Sequence, residues 1–387
     1  MLKISLDNPL VVKIAFLLFG LIGFIVVQVN LDNFNTFSLE FAVLSFIELL
    51  FFIYIANMLE KKQYWRINSI NPIFAYIVIA VKIYLIFLLL KSGFSASFGD
   101  RLSIYGNSFL IGVSMAVNFV LFPLLPLFGK TNFIKKLSLY LWIGTTIIST
   151  ILAPSKSALI GIVASLLFYR FLKRKANISN DRIISIISIK SIFLFVGVII
   201  GTVFFVIYKV GSEGLHVVLY RVAFNFDMAI YASHISQNIY PQHSNLYYAI
   251  LPLLKKLDPS LYNLTYFSMP QWIIGEYFGY SRYGRYGYPN DNLIVGLLLS
   301  YKTIGILMFS LIVYILYKYT KYFYKLKNIT LFHLILIFSL PGIFAALQDT
   351  AIRFYTFIFI YIVTLVVYAV LPKQNKLITR EANANIL

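Results

Sequence analysis

Tyr277-Phe278-Gly279-Tyr280-Ser281-Arg282-Tyr283-Gly284-Arg285-Tyr286-Gly287-Tyr288-Pro289-Asn290-Asp291-Asn292 runs without a break into the apolar stretch Leu293–Tyr317. A polar, tyrosine- and arginine-rich segment meeting a run of membrane-spanning length marks a loop that rests on a bilayer. The whole chain agrees, because 60% of its 387 residues are hydrophobic and 12% are charged, whereas a soluble domain carries about 25% charged residues. The fold class is therefore an all-α polytopic membrane protein, since only helices or closed barrels satisfy backbone groups in hydrocarbon.

Working outward from that junction, ten apolar segments are expected to span. They are Pro9–Val29, Phe37–Met58, Pro72–Leu90, Ser108–Phe128, Leu137–Leu152, Ser155–Phe171, Ser191–Val210, Leu293–Tyr317, Leu331–Leu347 and Phe354–Leu371. The fifth and sixth are short enough to form a broken pair. The first is too long for a signal-peptide core and reads as a retained anchor. Three regions follow: an N-terminal bundle of about seven helices over residues 1–210, a loop over 211–292, and about three helices with a tail over 293–387.

Placing the N-terminus inside puts twice as many of the 33 Lys and Arg residues on the inner side as on the outer, as the positive-inside rule requires. Both termini are then cytoplasmic and the long loop faces outward. The net charge of +19 is spread over short connectors between spans, which excludes nucleic acid as the partner. With no cysteine, disulfides and thiolate chemistry are absent and packing alone must hold the loop. Within it, Leu219–Ile235 carries an apolar stripe at Val222, Phe226 and Ile230, expected to form an amphipathic helix lying on the membrane. Tyr247–Leu254 reads as a second interfacial or re-entrant piece.

Five cations stand on the outer side against the orientation rule: Lys156, Arg221, Arg282, Arg285 and Arg353. Arginine forks grip phosphate oxygens two at a time and stabilise charge on a departing phosphate; the bland reading is that they reach to lipid headgroups. Asp291 is the first candidate base, at a loop–helix junction six residues after Arg285, with helix capping by the Asn-Asp-Asn run as the structural alternative. Asp227 is a second loop carboxylate. Tyr280, Tyr283 and Tyr286 offer faces on which sugars stack, though tyrosine is also common at any bilayer boundary. No histidine pair has zinc-ligand spacing, so neither metal nor cofactor is expected. Glu40 and Glu48 on the second span and Lys82 on the third are intramembrane charges. Glu48 and Lys82 lie at similar depth, open to an ion pair or a proton or substrate pathway.

With these residues in place, the chain resembles the bacterial O-antigen polymerases of the Wzy type, with the O-antigen ligases more distant. The likeness lies in layout and in a few local matches. Ser155-Lys156-Ser157-Ala158 is similar to the Ser-basic-small motif that opens a mid-chain helix there. Arg285 through Gly296 fits the Arg-x10-Gly spacing of polymerase loops, whereas Arg221 has Ala232 where glycine would fall. Asp291-Asn292-Leu293 with Gly305 is similar to the ligases' His-Asn junction, with aspartate in place of histidine. The resemblance implies a GT-C-like fold with a partly helical periplasmic loop, in a bacterial inner membrane. It implies metal-independent, inverting glycosyl transfer between undecaprenyl-diphosphate-linked repeat units. Arg221, Arg285 and Lys156 would bind the diphosphate, Arg282 and Arg353 would assist, and Asp291 or Asp227 would activate the acceptor hydroxyl. Implied partners are membrane lipid, a chain-length regulator and a flippase. The competing readings are an O-antigen ligase, which makes one transfer to another acceptor, and a flippase or transporter, in which Glu40, Glu48 and Lys82 would dominate.

Overall fold

The computed structural model describes residues 4–30, 34–62, 65–67, 72–91, 139–144, 156–176, 226–235, 269–278 and 292–330, with scattered positions elsewhere. These residues are mostly helical. In chain order they form α1 (Leu10–Asn30), α2 (Thr36–Lys61), β1 (Arg66–Ile67), α3 (Pro72–Lys91), α4 (Lys156–Lys175), α5 (Asp227–Ile235), α6 (Met269–Phe278), α7 (Leu293–Tyr301), α8 (Thr303–Lys325) and β2 (Asn328–Ile329). Among the described residues, α1, α2 and α8 are long and apolar enough to cross a membrane. The expected spans Ser108–Phe128, Ser191–Val210, Leu331–Leu347 and Phe354–Leu371 lie outside the described residues except for scattered positions, and of Leu137–Leu152 the described part, residues 137 and 139–144, is helical.

Local chemistry explains where the helices begin. Asn8 precedes Pro9, its Oδ1 accepts from the Leu10 amide at 3.1 Å, and proline fits the first turn because its missing N–H has no acceptor there. Asn35 caps α2 by accepting from the Ser38 amide at 2.9 Å, one of the donors that a helix start leaves unpaired. The hairpin of α1 and α2 is the centre of the bundle. Phe24 stacks edge-on against Phe41 with ring centroids 4.8 Å apart, and Phe52 meets both Phe51 and Phe344. Long apolar faces of the same helices remain exposed, including Phe19, Leu39, Phe46 and Leu311, as lipid-facing residues do.

At one end of the bundle the ends of several helices are tied by polar contacts, from exposed ones at Arg174 to buried ones at Lys62 and Lys175. Arg174 on α4 forks onto Asp7 through Nε and Nη2, both at 2.9 Å, and onto Glu60 at 2.9 and 3.0 Å. Ser5 also donates to Glu60. Lys175 Nζ donates to the Glu60 and Lys62 carbonyls at 2.6 and 2.9 Å. Lys62 Nζ donates in turn to the carbonyls of Phe323, Tyr324 and Leu326 at 3.1, 2.8 and 2.6 Å, occupying acceptors that the end of α8 would otherwise leave open. Burial pushes the Lys62 ammonium below its ordinary pKa. Beside it, β1 and β2 pair in parallel, Arg66 with Asn328 and Ile67 with Ile329.

The expected single span Leu293–Tyr317 is not one helix. It breaks at Lys302, whose φ of 48° is a conformation L residues rarely adopt, and resumes as α8, which continues to Lys325. Nine-residue α7 is about 14 Å long at 1.5 Å per residue, roughly half a hydrocarbon core. The turn is held by Lys302 N–H to Leu298 O at 2.9 Å and Gly305 N–H to Lys302 O at 2.8 Å. It brings α8 so close to α7 that a Cβ on Gly305 would stand 2.3 Å from the Leu297 carbonyl oxygen. The sixth expected span, in contrast, is one unbroken helix of 20 residues, α4.

Two stability outcomes follow from this geometry. Gly305→Ala lowers the melting temperature in detergent by the equivalent of about 3 kcal/mol, since backbone must move to admit the methyl, whereas Gly144→Ala, with nothing within 4 Å, leaves it level or slightly raised. Lys62→Met, which strands buried carbonyls, costs about 3 kcal/mol; exposed Lys61→Met changes stability by about 0.5 kcal/mol at most.

Candidate functional site

At the other end of the bundle, around the α1–α2 turn, the loop helix α5 enters the protein. Its described part, residues 226–235, is enclosed by protein rather than lying on the membrane as its stripe suggested, while residues 219–225 of the expected helix lie outside the described residues. Met228, Ala229, Ile230, Ala232 and Ser233 are all buried, because both faces of the helix find protein: α5 packs on α1, α2, α6 and α7. Its upper part is pinned by polar contacts that the apolar pattern did not announce. Gln28 Nε2 donates to Ser233 Oγ at 2.9 Å, Asn35 Nδ2 donates to the Ser233 carbonyl at 2.8 Å, and Ser38 Oγ reaches Gln28 Oε1 at 3.5 Å.

Its lower end reaches into the bundle. Phe226 lies edge-on to Phe41 with centroids 5.1 Å apart, and its ring would stand 3.3 Å from a Cβ on Gly20. Since Ser233 sits beside Gln28, and Gly20 is about two turns earlier on α1, Phe226 lies about 12 Å deeper than Gln28 at 1.5 Å per residue. Glycine at position 20 makes room for that ring. Asp227, next in the chain, is only 4% exposed, and its Oδ1 accepts from the Met228 amide at 3.0 Å. A carboxylate on the first residue of a helix is stabilised by the amide ends there.

The neighbouring elements complete the surroundings. Trp272 and Ile273 of α6 are buried while Glu276 is exposed. Asn292 caps α7, its Oδ1 accepting from the Ile294 and Val295 amides at 2.9 and 3.3 Å. The capping role weighed for the Asn290-Asp291-Asn292 run thus falls to Asn292, which is itself buried. α4 starts at Lys156, about 27 Å along the helix from Arg174, so its first residue is remote from the Arg174 clamp. The Lys156 side chain lies outside the described residues, as do Asp291, Arg221, Arg282, Arg285, Arg353, Tyr280, Tyr283 and Tyr286. Of the sequence-derived candidates, then, Asp227 is the one whose side-chain position is described, and it is placed in the bundle interior beside the α7 element that carries the Asn292 cap.

Between the two ends the expected Glu48–Lys82 pair does not form. Glu48 binds Lys13 of α1 instead, Oε1 to Nζ 2.9 Å, and Lys13 also lies 5.6 Å from the Phe52 ring centroid. Lys82 is buried with no hydrogen bond to its Nζ. Similar depth was the reason for pairing Glu48 with Lys82; adjacency of α1 and α2 supplies a nearer cation. Among the described residues there is no group of His, Asp and Glu able to hold a metal ion. What the arrangement shows is a buried carboxylate at the start of α5 and, further along the same helix, Ser233 hydrogen-bonded to Gln28 and Asn35.

Lys13→Met, which leaves Glu48 charged and alone, is expected to cost about 3–5 kcal/mol, and the double variant Lys13→Met/Glu48→Leu to recover most of it, read as melting temperatures in detergent; equal losses in both would show that the pair is not what fixes α1 on α2. No family model, no curated protein and no solved structure matches the chain.

Proposed function

We propose that this protein polymerises lipid-linked oligosaccharide repeat units into O-antigen or a related surface polysaccharide, at the outer face of a bacterial inner membrane. The donor is the growing glycan on undecaprenyl diphosphate. The acceptor is the non-reducing end of a fresh repeat unit. The observation that carries this reading is Asp227: a carboxylate from the long loop, 4% exposed, about 9 Å along α5 from Ser233 on an element that packs against α7.

In the reaction, the acceptor hydroxyl oxygen attacks the anomeric carbon, the bond from that carbon to the diphosphate oxygen breaks, and undecaprenyl diphosphate leaves with the electron pair. Asp227 or Asp291 takes the hydroxyl proton. Arg221, Arg285 and Lys156 hold the diphosphate, where a bidentate guanidinium is worth most as charge builds on the leaving oxygen. Arg282 and Arg353 assist, and Tyr280, Tyr283 and Tyr286 carry the glycan on their ring faces. No metal is required, because the arginines supply the positive charge.

The test is reconstitution of the purified protein with its lipid-linked repeat unit. A ladder of products is expected. Arg285→Ala, Arg221→Ala and Asp227→Asn should each slow it by roughly 100-fold or more. Full-rate polymerisation by the arginine variants would overturn the clamp. A single transfer to a different acceptor would point to a ligase, and movement of labelled substrate across the bilayer without elongation would point to a flippase.

A further inference from the structure

A second site, lined by α2 and α8 and by no residue of α5, is formed between those two helices. The two helices run in the same direction, since Lys62 at the end of α2 binds the carbonyls that end α8. Between them lies an open groove of about 460 Å³, within the roughly 300–1,000 Å³ of ligand sites. Its walls are Ile47, Leu50 and Phe51 from α2 and Val313 from α8, with Ser310 the small residue that keeps it open. Toward the Lys62 end it finishes on the packed rings of Tyr54 and Tyr317, centroids 5.5 Å apart.

Beyond those rings the surface becomes cationic. Residues three, four and seven apart share a helix face, so the α8 stripe through Tyr314 and Tyr317 continues into Lys318 and Lys321, and the α2 stripe through Tyr54 continues into Lys61. All three lysines are exposed, and Lys318 Nζ folds back to 5.3 Å from the Tyr314 ring centroid, along the groove wall. The nearest carboxylate on these two helices, Glu60, is held by Arg174, and α8 contains no acidic residue. An apolar channel, an aromatic threshold and a group of ammonium ions that no carboxylate of α2 or α8 is placed to meet follow one another in the order acyl chain, ester region and phosphate of a lipid.

We infer that the α2–α8 groove binds an anionic phospholipid, one acyl chain lying between the helices and its phosphate held by Lys61, Lys318 and Lys321. Basic clefts between membrane helices select anionic headgroups on charge. Its lysines are at the end of the bundle opposite α5, and none of its lining residues belongs to the proposed reaction centre, so it fits a lipid of the surrounding leaflet rather than the isoprenoid substrate. Such a lipid would fill the space between α2 and α8 just above their joint at Lys62.

Native mass spectrometry of the delipidated full chain, titrated with phosphatidylglycerol, phosphatidylcholine of the same acyl chains, and undecaprenyl phosphate, tests this. Phosphatidylglycerol should bind at about tenfold lower concentration than phosphatidylcholine. Lys61→Gln/Lys318→Gln/Lys321→Gln should abolish that preference, and Ser310→Phe, which fills the groove, should weaken both lipids. The lysines are exposed, so the triple variant should keep the wild-type melting temperature and carries the test even where Ser310→Phe does not fold. Equal binding of the two phospholipids, a preference undiminished in the triple variant, wild-type binding by folded Ser310→Phe, or displacement of phosphatidylglycerol by undecaprenyl phosphate at lower concentration would each overturn the proposal.

Discussion

The ammonium of Lys62, donating to three carbonyl oxygens at the end of α8, fixes the frame on which the rest of the molecule is built. A helix end carries acceptors with no partner in its own helix, and beside a bilayer water is a poor substitute. One lysine placed after α2 answers that need and also sets the separation of α2 and α8. Lys175 and Arg174 then fasten α4 and the N-terminal segment to the same point. Four separate parts of the chain are joined there by charged groups whose hydrogen bonds are worth more than neutral ones.

With one end fastened, the opposite end is able to admit the loop. α5 stands beside α1 because Gly20 leaves room for Phe226 and because Gln28 and Asn35 meet the polar groups of Ser233. The same contacts that hold the helix place Asp227 in a buried setting. Structural and chemical demands coincide: a buried carboxylate is costly unless something local stabilises it, and the amides at the start of α5 do so. α7, too short to cross hydrocarbon, closes over this region from the side and turns sharply into α8 at Lys302.

How far the sequence could be read varied with the kind of signal. The starts of α1, α2 and α3 fall within one or two residues of the expected spans, because uninterrupted apolar runs leave the backbone no alternative to a helix. The break at Lys302 was missed although Ser300-Tyr301-Lys302-Thr303 interrupts the apolar run there, because one short polar interruption leaves a run of spanning length and the turn depends on Gly305 meeting Leu297 across it. The stripe at Phe226 and Ile230 was read as one-sided and its partner as lipid, whereas both faces of the described helix are buried against protein. Ser233 and Gln28 were the missing signal, two polar residues on otherwise buried surfaces. Glu48 was recognised as an intramembrane charge; its partner was misjudged because depth along the chain says nothing of rotation about a helix axis.

From its sequence alone this chain is a helical membrane protein, because transfer of apolar side chains out of water adds up residue by residue and needs no knowledge of neighbours. The same local sum gives where the long helices start and leaves charges conspicuous inside them. Only the tertiary structure decided that Lys13 rather than Lys82 meets Glu48, that α5 is enclosed, and that a lysine after α2 terminates α8. Those outcomes rest on which faces of separate helices are turned toward one another, and directional contacts such as hydrogen bonds and ion pairs exist only after packing has set the distance and the angle.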